Sequence, residues 1–324
     1  MESIIKEKGD GKVRHGESVR KENNRKEYVK VKGYVYDRDG FAWECGNFEI
    51  TYQGVEYNNK SHKIAIRIID KWKVKLCDQK MRRIFGDVKF LKSVGLASMV
   101  EYIDCFESRE GDIYIVSEFY RERNLKNLLM RYGGELRIEK VLEIAETVAR
   151  FYKEYGEKIR EMKNVEILYH GDMNPSNVLI KNGKAVISDF GFGRYISEEY
   201  ERAVSKMAGE VREVRYMSPQ MLRKGKVGYK TDIWSLGVMI YEMIYGTVPW
   251  KGIIEEIVLE NIMSDGIKFP EKPEIPNMLK GLIEGMLRIE EEDLLDFINS
   301  DDFEDKLILD PYHPSLVSLP LFTT

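Results

Sequence analysis

The sequence predicts an α+β chain in two lobes, a small antiparallel sheet with one main helix followed by a larger, mostly helical part. Three observations predict this. Between Tyr34 and Ser117 apolar and polar residues alternate, as half-buried strands require. Beyond Tyr120 apolar residues recur at three- and four-residue steps, as helices require. The 324 residues are 43% apolar and 33% charged, which is enough to bury a core and too hydrophobic for a disordered chain.

The elements follow in order. Residues 1–33 are polar and rich in lysine and arginine, and read as a flexible basic extension. FEITYQGVEY and HKIAIRIID read as strands, DQKMRRIFGDVKFLKSV as a helix and IYIVSEF as a further strand, giving a small lobe over 34–117. Residues 118–121 join it to 122–300, a helical part with LKNLLMRYGG, VLEIAETVARFYKEYGEKIREM, DIWSLGVMIYEMIYG and MLKGLIEGML as helices. Inside it, NVLIKNGKAVIS is two apolar runs meeting at Asn182-Gly183, a two-residue hairpin signal. Residues 301–324 read as a C-terminal tail, and the acids from Glu290 to Asp305 as a solvated face.

Composition excludes several functions. With 51 basic and 55 acidic residues the formal charge is −4, so bulk attraction to nucleic acid or anionic membrane is not expected. Cys45, Cys77 and Cys105 form no CxxC pair, which argues against a disulfide framework or a structural zinc and fits a reducing compartment. The most apolar stretch is interrupted by Glu242, and MESIIKEKGD has no signal-peptide core, so a cytoplasmic or nuclear location is expected.

The chemistry gathers around the hairpin. HGDMNPSNVLI puts Asp172 five residues before Asn177, and ISDFGFG puts Asp189 twelve residues further on. This pattern resembles the catalytic loop and Asp-Phe-Gly segment of the eukaryotic protein kinases, serine/threonine type. The resemblance implies a two-lobed kinase fold with ATP and Mg²⁺ as cofactors and a protein as substrate. Phosphoryl transfer needs positioning and charge neutralisation more than covalent help. Asp172 would be the catalytic base, and Asn177 and Asp189 the metal ligands. Tyr216 to Gln220 stands where the family closes its activation segment, and Asp232, Trp234 and Gly237 match its central buried helix. By the same resemblance Glu118 and Tyr120 lie on the hinge behind gatekeeper Ser117, and adenine sits between Ala65 and Leu179. Leu91, Tyr102, His170 and Phe190 would stack, anchored by Asp232.

The chain departs from the family in places. The glycine loop becomes Glu44-Cys45-Gly46-Asn47-Phe48-Glu49, with only Gly46 kept. A carboxylate ~5 Å from a phosphate costs about 3 kcal/mol at an effective dielectric near 20, so Glu44 and Glu49 would weaken ATP binding unless they turn outward. Arg67 replaces the phosphate-gripping lysine on the face it shares with Ala65, and Asp87 replaces the partner glutamate. A longer cation and a shorter acid are expected to pair, holding the helix inward. Gly171 replaces an arginine, Asn174 a lysine and Glu213 a threonine. Gln220 replaces a glutamate whose arginine partner is Leu294, so both ends of that ion pair are lost together. Ser205 is the expected phosphosite, near Lys206, Arg212 and Arg215. Three readings stay open: a serine/threonine protein kinase, weak turnover included; a pseudokinase acting as a binding or scaffold protein; and a small-molecule kinase, which the DIWSLG helix and SPQ segment disfavour. A regulatory protein partner fits the first two.

Overall fold

A computed structural model describes residues 17–20, 27–38, 42–45, 49–70, 78–121, 124–162, 168–190, 213–224 and 228–289. The chain divides into two compact units, residues 1–95 with 100–120, and residues 96–99 with 121–324.

The first unit is built on a sheet of eight strands among the described residues. They are β1 (Glu17–Arg20), β2 (Glu27–Val31), β3 (Tyr34–Asp37), β4 (Ala42–Cys45), β5 (Glu49–Glu56), β6 (Lys63–Ile69), β7 (Tyr102–Glu107) and β8 (Ile113–Glu118). The order is β1-β2-β3-β5-β6-β8-β7, with β4 beside β5, and every pair is antiparallel. Val29, Tyr36, Ile64, Ile66, Ile68, Tyr114 and Val116 form its core. At Gly54 a side chain would lie 2.5 Å from Ile66 Cδ1 and 2.9 Å from the Val35 carbonyl, so β3 and β6 close on a bare backbone. Helix α1 (Asp78–Val94) packs on β7 and buries Met81, Ile84, Val88, Leu91 and Val94, one face at helical spacing.

Here the reading of residues 1–33 needs correction. β1 and β2 extend the sheet, and Val29 is fully buried. EYVKV alternates correctly for a strand, but five such residues vanish when averaged with lysine-rich neighbours. The sheet therefore begins well before Tyr34.

The second unit holds helices α2 (Leu125–Arg131), α3 (Ile138–Glu161), α4 (Pro219–Lys224), α5 (Tyr229–Tyr245), α6 (Glu255–Ser264) and α7 (Asn277–Met286). Strands β9 (Val178–Lys181) and β10 (Lys184–Ile187) pair around Asn182 and Gly183, whose φ values of 51° and 78° make the primed turn that the dipeptide signals. α5 is apolar on nearly every side and is buried accordingly; it ends at Gly246, in the left-handed conformation with φ 67°. A side chain at Gly237 would approach Met286 Cβ to 2.8 Å, so this glycine sets the contact of α5 with α7. No described helix is long and apolar enough to cross a membrane.

Candidate active site

The loop from His170 to Asn177 is held by α5 on one side and the hairpin on the other. Asp232, in the first turn of α5, accepts the backbone N–H of His170 at 2.9 Å and of Gly171 at 2.8 Å. Burial pushes its carboxyl up to about 7, against the pull of those two donors. Gly171 has φ 74°, the left-handed region, so the residue in the arginine's place is the one that fits this turn best.

His170 is fully buried, and its tautomer follows from its partners. The Asp172 N–H donates to Nδ1 at 3.2 Å, and Nε2 meets the Ser188 carbonyl at 2.8 Å. A carbonyl only accepts, so Nε2 carries the proton and the ring is neutral. Burial agrees, lowering its pKa to about 4. Phe190 sets its ring edge-on to the imidazole, with centroids 5.8 Å apart.

Asn177 completes the arrangement. Its Nδ2 donates to the Asp172 carbonyl at 2.7 Å and to Asp172 Oδ2 at 3.0 Å. Both partners are acceptors, so the amide is fixed with Oδ1 turned away from Asp172. Asn174 donates to the same carbonyl at 3.0 Å, and its Oδ1 caps the Pro175–Asn177 turn through the Ser176 N–H at 2.9 Å. The Asn177 carbonyl takes the Ser188 N–H at 2.9 Å and the Ser188 hydroxyl at 3.0 Å. Asp189 follows directly, half-buried, at a φ of 58°. The structure thus brings Asp172, Asn177 and Asp189 together at the open end of the hairpin.

The remaining candidates are distributed over both units. Ala65 and Arg67 share one half-buried face of β6, while Ile64, Ile66 and Ile68 bury the other; Ala65 pairs in register with Ser117 and Arg67 with Ile115. Asp87 lies half-buried on α1. Glu118 ends β8, where its N–H reaches the Glu101 carbonyl at 3.0 Å and its Oε2 accepts the Tyr120 hydroxyl at 3.1 Å. Leu179, on β9, bridges to Asn124, the cap of α2. Leu91 and Tyr102 are buried in the first unit, His170 and Phe190 in the second. Gly46, Ser205, Lys206, Arg212 and Leu294 lie outside the described residues.

A sequence profile of the protein kinase domain matches residues 45–296. The chain belongs to the protein kinase family. It is 28% identical over 258 residues to a probable serine/threonine-protein kinase of Dictyostelium discoideum, covering 76% of this chain and 40% of that one. A cell cycle serine/threonine-protein kinase of Saccharomyces cerevisiae is 27% identical over 265 residues, 81% of this chain and 35% of its own. Another serine/threonine-protein kinase of the same yeast is 25% identical over 226 residues, 64% and 28%. The chain thus spans 28% to 40% of the length of these relatives.

Against the family pattern the kinase shows where its departures are absorbed. Asn174, in place of lysine, joins the Asp172 network through its amide. Gln220, in place of glutamate, donates Nε2 to the Ile289 carbonyl at 2.6 Å, a neutral tie where the family has an ion pair. Glu213, in place of threonine, is gripped by Lys126 at 3.0 Å and Arg215 at 2.7 Å. The sequence flagged Glu213 as unusual but held no signal for Lys126, 87 residues away. The donor set also suits the cofactor that the family uses. Asn177 Oδ1 and the Asp189 carboxylate are hard oxygens, the donor type that magnesium takes together with phosphate and water oxygens.

Proposed function

We propose that this protein kinase transfers the γ-phosphate of ATP to a serine or threonine hydroxyl of a protein. The observation that carries the reading is the 3.0 Å hydrogen bond from Asn177 Nδ2 to Asp172 Oδ2. It aims one carboxylate oxygen while the backbone of the same residue is fixed by His170, Asn174 and Asn177. A base held in this way needs little reorganisation to accept the proton of a substrate hydroxyl. In this reading Asn177 and Asp189 would hold Mg²⁺, which supplies charge neutralisation on the phosphates. In the first unit Ala65, Glu118 and Tyr120 would contact the nucleotide, and Arg67 would pair with Asp87 to order the small lobe. The serine/threonine assignment draws on the relatives, which are named as serine/threonine-protein kinases.

The test is γ-phosphate transfer by purified protein beside Asp172→Asn. Loss of the base lowers turnover by about 10²–10⁴-fold, with the unfolding midpoint unchanged within a degree or two. Incorporation equal in the two proteins overturns the enzyme reading.

One observation favours a second reading, a pseudokinase that binds or scaffolds. Arg67 presents a planar fork suited to carboxylates at the position where a lysine grips phosphate. Calorimetric titration with magnesium-ATP separates the two: no binding and no transfer together overturn the enzyme reading and leave the pseudokinase reading.

A further inference from the structure

We infer that this kinase selects acceptor sites flanked by an anionic side chain, carboxylate or phosphate ester, which Lys126 and Arg215 hold in a cavity beside Asp172. The inference rests on the protein-phosphorylating reading above and names its substrate class. The cavity has a volume of about 340 Å³ and lies between α2, the loop after Asn174 and the segment entering α4. Leu129 and Pro175 supply apolar wall, and Lys126, Glu213, Arg215 and Glu242 supply its charges. Glu213 and Tyr216 line both this cavity and the narrow cleft that contains Asp172. A protein whose hydroxyl reaches Asp172 therefore lays a nearby side chain here.

The charges are not evenly presented. Lys126 and Arg215 share one carboxylate, Glu213, and with Glu242 the four charges of the cavity balance, so recognition depends on which of them faces solvent. Glu213 is only 22% exposed, whereas Lys126 is 51% exposed and Arg215 40%. An incoming group meets cations at the mouth, with their shared acid behind them. Burial alone would raise the Glu213 carboxyl, but hydrogen bonds from Lys126 and Arg215 hold it below the usual carboxylate range, so it stays ionised and keeps both cations in place. The second acid, Glu242, accepts the Tyr216 hydroxyl, and burial raises its carboxyl. The apolar walls lower the local dielectric and strengthen what the two cations offer.

Serine peptides differing only by Glu, phosphoserine, Ala or Arg at each flanking position provide the test. The full chain is assayed for phosphate transfer to them, and matching peptides with alanine for the acceptor serine are assayed for binding by fluorescence anisotropy. Two partly exposed ion pairs predict about tenfold preference for the acidic peptide over the alanine peptide. The Glu and phosphoserine arms separate carboxylate from phosphate ester. Lys126→Ala reduces the preference to about threefold, and the Lys126→Glu/Arg215→Glu pair shifts it to the Arg peptide. Each preference is a ratio within one protein, so partial loss of folding cancels. A wild-type preference for Arg flanks, or an acidic preference that survives both substitutions, overturns the inference. Anisotropy preference without transfer overturns only the catalytic reading; transfer without any preference overturns only the cavity's role.

Discussion

The loop from His170 to Asn177 in the second unit and strand β6 in the first are tied down to different degrees. In the loop, side chains bond backbone and backbone bonds side chains: Asp232 takes two N–H groups, His170 spans Asp172 and Ser188, and Asn177 aims Asp172. In β6 the ladder to β5 and β8 sets the backbone, and its register fixes the strand face on which Arg67 stands. The difference teaches where this family member can diverge. A strand face accepts a new side chain without disturbing its ladder. The loop accepts one only where it rejoins the network, as Asn174 does, or where the backbone asks for it, as at Gly171.

The comparison breaks first at Asp232. Asp232→Ala leaves two buried N–H groups without acceptors, each costing about 1–3 kcal/mol, so urea unfolding should show a loss of about 3 kcal/mol or more. A loss under about 1 kcal/mol would mean that the loop is not held as described.

A subtler probe is pH. The folded pKa of His170 is lowered to about 4 from 6.5, so between these values the unfolded chain binds the extra proton and stability rises with pH. The contribution is complete above 6.5 and is lost as pH falls through 4, with an upper bound of about 3 kcal/mol. Asp232, raised to about 7 from 3.8, acts in the opposite sense and gives less stability as pH rises through that window. His170→Phe isolates the first term: the stability of wild type minus that of the variant should grow from pH 4 to 6.5. A difference constant across the range would show that His170 is not the neutral tautomer drawn here.

The smallest effect is expected on the strand. Arg67→Lys keeps the charge and leaves the ladder untouched, so the unfolding midpoint should stay within a degree or two while ATP affinity changes by no more than about tenfold. If it instead cost as much turnover as Asp172→Asn, strand and loop would be equally intolerant and the contrast would fail.

Much of this was legible in local spacing. The helix predicted over 78–94 is found with those bounds, and the Asn182-Gly183 turn closes β9 on β10. Strands β5, β6 and β8 stand within two residues of their predicted limits. β7 went unread because YIDCFE carries no clean alternation and its register shifts between Tyr102 and Asp104. α6 gives no clear signal either: exposed Ile257 and Met263 on the helix, with Ile253 and Ile254 just before it, blur the apolar face.

By itself the sequence determined which residues could act, because Asp172, Asn177 and Asp189 lie on one short segment whose hairpin must return on itself. It also determined that Ala65 and Arg67 share a face, since a strand has period two. Only the tertiary structure decided how those groups are held. The tautomer of His170 depends on Ser188, the pose of the loop on Asp232, and the charge state of Glu213 on Lys126 and Arg215. Three of these four partners, Ser188, Asp232 and Lys126, come from other elements of the fold. Hydrogen bonding and burial are properties of neighbours in space, and only the folded chain makes those residues neighbours.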